Sequence, residues 1–108
     1  MELITIKVKH WKDIPKNYNG IAEFPNRSKV WFLNGKSHRT DGPAMEHPNG
    51  IKYWYLNGER HRTDGPAIEY ASGSKYWYLN GKKYTREEHF QYVAEHYPNS
   101  IRKLIWNL

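Results

Sequence analysis

The chain has 108 residues, no cysteine, and a formal charge of +6 from 17 Lys and Arg against 11 Asp and Glu. This length corresponds to one ordinary domain, and the lack of cysteine excludes disulfides, thiolate metal ligands and a cysteine nucleophile. The basic charge fits nucleic acid, an acidic protein surface or an anionic ligand, or serves solubility alone. No run of about 18 apolar residues occurs, so the sequence predicts no membrane span and a cytoplasmic location.

Residues 1–18 are predicted to form an edge strand and a lead-in to the rest of the single domain. The segment LITIKV, residues 3–8, alternates loosely between apolar and polar side chains. Lys7 and Lys9 interrupt its apolar character, so no signal peptide is expected. Because an open sheet edge invites unwanted pairing, we expect this strand to pair with an edge or to guard it.

Residues 19–84 are dominated by one phrase that recurs with a period of about 23 residues, here called the repeat period. WFLNGKSHRTDGPAMEH starts at Trp31, WYLNGERHRTDGPAIEY starts at Trp54, and WYLNGKKY starts at Trp77. Self-similarity at a fixed spacing indicates a stacked unit that can bury its apolar face only against its neighbours. The sequence therefore predicts an array of three tandem units.

Each unit is predicted to contain two short antiparallel strands. Asn57 and Gly58 separate two alternating segments, which is the strongest short signal for a hairpin with a type I′ turn. This two-residue loop would place Tyr53 opposite Arg62. The Thr-Asp-Gly-Pro run of residues 63–66 predicts a second turn. If that loop has four residues, Arg60 meets Glu69 across it.

Alternation along the strands sorts the side chains onto two faces of the sheet. The predicted core face carries Trp31, Leu33, His38, Met45, Trp54, Leu56, His61, Ile68, Trp77, Leu79 and Tyr84. The other face carries aromatic and basic residues, which are the candidate partner-binding residues: Phe32, Arg39, Tyr53, Tyr55, Arg60, Arg62, Tyr76, Tyr78 and Lys83. These residue types also suit a plain solvent-facing sheet, but Tyr and Arg are typical of binding hot spots.

Residues 85–108 change from a period of 2 to a period of 3.6 and predict a helical cap. Thr85 and Glu88 have the spacing of a capping box. An apolar stripe follows at Phe90, Val93, Ala94 and Tyr97, and a second stripe follows Pro98 at Ile101, Leu104, Ile105 and Leu108. We expect one or two short helices to pack on the Trp and Leu face. The predicted fold is thus mainly β with C-terminal α, an antiparallel meander closed by helices.

The hairpin pattern resembles the membrane occupation and recognition nexus (MORN) repeat over residues 19–84. More closely, WYLNG-x2-HRTDGPA-x-E resembles a MORN-like repeat of uncharacterised bacteriophage and large DNA virus proteins. The resemblance implies a single-layer sheet that serves as a scaffold for binding proteins or, in some members, lipid headgroups. Arg39 and Arg62 stand where the MORN pattern has a Gly after the His, so a binding role is not carried over from that position.

The patterns that suggest chemistry favour structural roles, and we predict no enzyme, no cofactor and no metal site. His38 and His61 each precede an Asp by three residues, but the third copy keeps neither residue. Glu23, Glu46 and Glu69 should lie two strands apart, further than the roughly 5–5.5 Å of a retaining glycosidase pair. No Walker loop, GxSxG or HExxH motif is present.

The sequence therefore favours a non-enzymatic binding module. The resemblance suggests a phage-type accessory protein that docks on and inhibits a host protein or protein–nucleic-acid complex, including defence machinery of the CRISPR type. The alternative is a single-stranded nucleic-acid-binding protein that uses the same Tyr and Arg face. Membrane-surface binding is disfavoured because no strong basic amphipathic helix is predicted. A monomer and a homodimer both remain open.

Overall fold

The computed structural model describes residues 3–107 and is mainly β-sheet, with two short C-terminal helices. The described strands are β1 Thr5–Lys7, β2 Gly20–Glu23, β3 Lys29–Leu33, β4 Lys36–Ser37, β5 Met45–Glu46, β6 Lys52–Tyr53, β7 Tyr55–Leu56, β8 Glu59–Arg60, β9 Ile68–Glu69, β10 Lys75–Leu79 and β11 Lys82–Tyr84. The helices are α1 Arg86–His96 and α2 Ile101–Trp106, and 3-10 turns occur at Trp11–Asp13 and Pro98–Ser100.

One mixed sheet contains all of these strands except β7 and β8, which form a separate hairpin. Its order is β1-β2-β3-β5-β6-β9-β10-β11, and β4 pairs with β3. β1 lies parallel to β2, while the other pairs are antiparallel. The N-terminal segment thus pairs at an edge of the sheet, as its alternation predicted.

The three Asn-Gly turns adopt the backbone that the sequence predicted. Asn57 has φ 50° and Gly58 has φ 81°, and the other two turns repeat these values within a few degrees. Two consecutive positive φ angles define a type I′ turn, which matches the twist of the flanking strands. The resulting register places Tyr55 opposite Arg60, as expected.

The expected four-residue loop at residues 63–66 is wrong. β9 does not pair with β8; instead Ile68 lies opposite both Tyr53 and Tyr76. The His61 N–H still donates to the Trp54 carbonyl oxygen of its own hairpin at 3.1 Å, and the chain then leaves that hairpin, because the Arg62 N–H donates to the carbonyl oxygen of Tyr78 at 3.1 Å. Arg62 therefore does not face Tyr53.

This pairing moves two apolar residues to the opposite face from the one predicted. Met45 and Ile68 both lie directly opposite Tyr53, and residues paired directly across strands share a face. They therefore belong with the tyrosines and not with the tryptophans. Glu69 likewise pairs with Lys52 and Lys75 instead of Arg60.

The core consists of two clusters, each beneath a different covering segment. The first contains Ala22, Val30 and Phe32, with residues of the N-terminal segment packed against it. The rings of Trp11 and Tyr18 each lie 6.1 Å from the Phe32 ring. Phe32 is only 7% exposed, so its prediction as an exposed partner-binding residue is wrong. The lead-in segment crosses the sheet at this point and covers it.

The second cluster joins the sheet to the helical cap through Leu79, Val93 and Leu104. The capping box forms as predicted, because the Thr85 hydroxyl accepts from the Glu88 N–H at 3.1 Å and Glu88 accepts from the Thr85 N–H at 2.8 Å. The helical stripes are partly wrong.

Two positions of the predicted stripes do not join the core of the cap. Ala94 is exposed, Ile105 is 55% exposed, and Leu108 lies outside the described residues. His89, which the apolar pattern missed, is completely buried in their place. A polar ring inside the cap requires hydrogen-bond partners that an apolar stripe does not.

The turns are connected by hydrogen bonds that pass from one hairpin to the next. The backbone N–H of Asn57 donates to Nδ1 of His38 at 3.0 Å, and that of Asn80 donates to Nδ1 of His61 at 3.0 Å. At the first turn, Oδ1 of Asn19 accepts from Asn34 at 2.8 Å. These contacts give the recurrent histidines a structural role as acceptors.

We expect His38→Ala to lower the free energy of unfolding by about 1 kcal/mol, because the Asn57 N–H loses its acceptor. His38→Asn should retain most of that stability, because Oδ1 of Asn occupies the position of Nδ1, as Asn19 shows at the first turn. Urea denaturation of the two variants and the parent provides the measurement. Equal losses in both variants would contradict this role for Nδ1.

Candidate interaction surface

Five tyrosines and two cations form a continuous surface on one face of the sheet and the adjoining β7–β8 hairpin, here called the tyrosine face. Its members are Tyr53, Tyr55, Tyr70, Tyr76, Tyr78, Arg60 and Lys83. The register brings them together, because Arg60 lies opposite Tyr55 and Lys83 lies opposite Tyr78. Buried Ile68 lies between Tyr53 and Tyr76 and supports the two rings from within the sheet.

Three of the tyrosine rings, Tyr53, Tyr70 and Tyr76, pack edge to face. Tyr70 meets Tyr53 at 6.3 Å and 88° and meets Tyr76 at 5.8 Å and 82°. His47 meets Tyr53 at 5.7 Å and 90°. Each such pair contributes about 0.5–1.5 kcal/mol beyond its buried area. The surface is therefore held in place before any partner binds.

Tyr70 and His47 were not among the predicted site residues. They lie one repeat period apart, at equivalent positions of the recurring phrase. Both follow the Glu of their unit, at the turn where alternation gives no face assignment. The shared spacing was the signal that could have placed them beside Tyr53.

The two cations of the tyrosine face bind its aromatic residues. Arg60 donates from Nε to the hydroxyl of Tyr55 at 3.3 Å and from a terminal nitrogen to the hydroxyl of Tyr78 at 3.4 Å. Lys83 Nζ lies 4.5 Å from the centre of the Tyr76 ring. The Tyr55 hydrogen bond raises the pKa of Arg60, and burial raises the pKa of Tyr53. Arg60 therefore stays charged and Tyr53 stays protonated at neutral pH.

Arg39 and Arg62 were predicted to lie on this face, and the structure places both on the opposite one. The Arg39 guanidinium lies 4.0 Å from the centre of the Trp31 ring, and that of Arg62 lies 3.9 Å from Trp54. Six of the nine predicted residues remain together: Tyr53, Tyr55, Arg60, Tyr76, Tyr78 and Lys83.

The Thr-Asp-Gly-Pro loop explains the position of the two arginines. Arg62 Nε donates to Asp64 at 2.8 Å, and a terminal nitrogen donates to the Pro66 carbonyl at 3.1 Å. Arg39 makes the equivalent bonds to Asp41 and Pro43 at the same distances. The loop thus folds back around the guanidinium and holds it on the tryptophan.

A groove of about 520 Å³ lies between these loops and the helical cap, with Trp54 and Leu56 among its lining residues. Its arginines are already compensated by carboxylates. Arg39 lies 3.3 Å from Glu46 as well as 2.8 Å from Asp41. Both arginines of the groove are therefore paired with carboxylates, and we do not assign the groove an anionic ligand.

The helical cap is anchored to the tryptophan side of the sheet by polar contacts. His89 Nε2 donates to the carbonyl oxygen of Arg62 at 2.7 Å, while its Nδ1 has no partner within residues 3–107. The hydroxyls of Ser100 and Thr63 lie 2.8 Å apart. Burial lowers the pKa of His89 and also that of His61. Because the helices lie on this side, the tyrosine face stays uncovered by them.

A row of alternating Lys and Glu also crosses the tryptophan side. The register pairs its members in the order Lys7, Glu23, Lys29, Glu46, Lys52, Glu69 and Lys75. The three glutamates lie two strands apart, as predicted. Within residues 3–107, no group of three or more His, Asp or Glu side chains is arranged to hold a metal ion.

No family model, curated protein or solved structure matches the chain. None of the described helices is long and apolar enough to cross a membrane.

We expect the free energy of unfolding to fall as the pH decreases below about 6.5. His89 has a lowered pKa in the folded protein, so the unfolded chain binds the proton more readily below the unfolded pKa. The contribution of neutral His89 to the free energy of unfolding is fully present above the pKa of His89 in the unfolded chain. It is lost as the pH falls towards the pKa of His89 in the folded protein. Urea midpoints measured across this range test the expectation.

His89→Gln is the matched control for the pH dependence. Nε2 of Gln can donate to the Arg62 carbonyl but does not titrate. The variant should therefore show a weaker dependence of its urea midpoint on pH, with His61 supplying the remainder. An unchanged pH dependence would show that His89 is not the responsible group.

Proposed function

We propose that the protein is a non-catalytic docking module that binds a partner macromolecule through the tyrosine face. The supporting observation is that this part of the sheet combines aromatic rings and cations that are fixed by mutual contacts, and that no segment of residues 3–107 covers it. Residues 8–18 cover the Phe32 end of the same face, and the helices cover the Leu79 end of the other face. Fixed Tyr and Arg side chains are typical binding anchors because they lose little entropy on binding.

The resemblance to repeats of phage and large-virus proteins supports a host macromolecular complex as the partner. Stoichiometric docking on such a complex would inhibit it by occupying its surface. The MORN-like array of three tandem hairpin repeats belongs to the same proposal. It is supported by equivalent contacts one repeat period apart, as at Arg39 and Arg62 or His38 and His61.

Single-stranded nucleic acid is the second candidate partner. Interleaved tyrosines and cations on a sheet are typical of stacking platforms for bases. The two candidates differ in their response to salt, because nucleic-acid binding releases counterions and weakens steeply as salt is added. Contacts anchored by aromatic residues should weaken only mildly.

Replacing Tyr53, Tyr55 and Tyr76 together by Ala tests the proposal. The parent protein is used to capture its partner complex from nuclease-treated lysate, and mass spectrometry quantifies the captured complex. We expect the affinity of the triple variant for this complex to be about thirtyfold lower, since anchor truncations cost about 2 kcal/mol or more. Leu33→Ala is the matched control, because Leu33 is exposed on the opposite face. Circular dichroism checks that both variants fold. Retention of binding by a folded triple variant would refute the proposal.

A further inference from the structure

The charges of the sheet are divided between its two faces. The alternating Lys and Glu row lies on the tryptophan side, and so do the carboxylates that bind Arg39 and Arg62. The tyrosine face has two cations, Arg60 and Lys83. Within residues 3–107, neither of them forms an ion pair. The tyrosine face therefore carries cations without neighbouring carboxylates, while the opposite face carries charges of both signs.

The polar groups of the tyrosine face are mainly hydrogen-bond donors. The hydroxyl oxygens of Tyr55 and Tyr78 accept from Arg60, so their own protons are directed to other acceptors. Lys83 carries three donors and no acceptor, and its ammonium lies on the ring of Tyr76. A partner that matches this surface must supply acceptors and negative charge.

An acidic protein segment and a single-stranded nucleic acid could both supply acceptors and negative charge, and the ring packing distinguishes between them. Bases stack on open ring faces, but the edge of one tyrosine lies against the face of the next at 82° to 88°. Cations lie over the rings of Tyr76 and Tyr78 at 4.5 and 5.3 Å. Part of the ring surface is thus already occupied within the protein, while the hydroxyls and cationic donors remain, and these suit carboxylates better than bases.

We infer that the tyrosine face binds an acidic segment of a partner protein, with Asp and Glu carboxylates accepting hydrogen bonds from Tyr55, Tyr78, Arg60 and Lys83. This inference rests on the docking function proposed above and specifies the chemistry of its partner. Charge-assisted hydrogen bonds to carboxylates are about twice as strong as neutral ones. The positive surface also speeds encounter with an acidic segment.

Fluorescence anisotropy with two charge-matched probes tests the inference. The probes are a fluorescein-labelled polyglutamate peptide and a fluorescein-labelled oligothymidylate. We expect polyglutamate to bind the full chain more tightly than oligothymidylate does, at physiological salt. Tighter binding of oligothymidylate, or no measurable binding of polyglutamate, would overturn the inference.

Three variants separate site binding from general attraction to a basic protein. Lys83→Gln and Tyr78→Phe should each weaken polyglutamate binding by about tenfold, as expected for the loss of one charge-assisted bond. Lys52→Gln removes the same charge from the opposite face and should change binding by less than about twofold. Equal losses for Lys83→Gln and Lys52→Gln would show non-specific attraction and contradict the site.

A competition assay keeps this inference separate from the docking function. Polyglutamate should displace the complex captured through the tyrosine face, whereas an uncharged polyglutamine peptide should not. If capture depends on the three tyrosines but resists polyglutamate, the acidic-segment inference fails and the docking function stands. If capture does not depend on the three tyrosines, both the acidic-segment inference and the docking function fail.

Discussion

The hydrogen bond from a turn to the preceding hairpin determines how the rest of the structure is arranged. Each Asn-Gly turn needs positive φ angles and presents backbone N–H groups that require acceptors. Asn19, His38 and His61 supply these acceptors from a δ1 atom of the side chain. Because each hairpin is fixed to the previous one in this way, side chains one repeat period apart lie next to each other on the same face. Each face therefore carries its own set of residue types.

The two covering segments lie on opposite faces and at opposite ends of the sheet. The lead-in segment covers Phe32, and the helices cover Leu79. A small domain has a limited core, and this diagonal arrangement divides it in two. It also leaves one uncovered area on each face. The area with Tyr53 is aromatic and cationic, whereas the one with Trp31 holds an arginine that is compensated by carboxylates.

Local signals in the sequence were sufficient to predict the Asn-Gly turns, the pairing of Tyr55 with Arg60, and the capping box at Thr85. The burial of Phe32 and the pairing of β9 were not predictable in the same way. Counting residues across a loop fixes a register only if the loop length is known, and Arg62 lengthens its loop by bonding to Asp64 and Pro66. When a separate segment of the chain covers a strand, the alternation of apolar and polar residues along that strand does not reveal it.

Tyr84 follows His61 by one repeat period and lies opposite Trp77, but its ring has no nitrogen to accept from another turn. A further hairpin stacked on this end would leave its turn N–H groups without the acceptor that the earlier ones have. At the other end, β1 pairs with β2 and Asn19 is already bonded to Asn34. The histidine acceptor missing at Tyr84 and the occupied Asn19 thus both oppose end-to-end growth of the sheet into fibres.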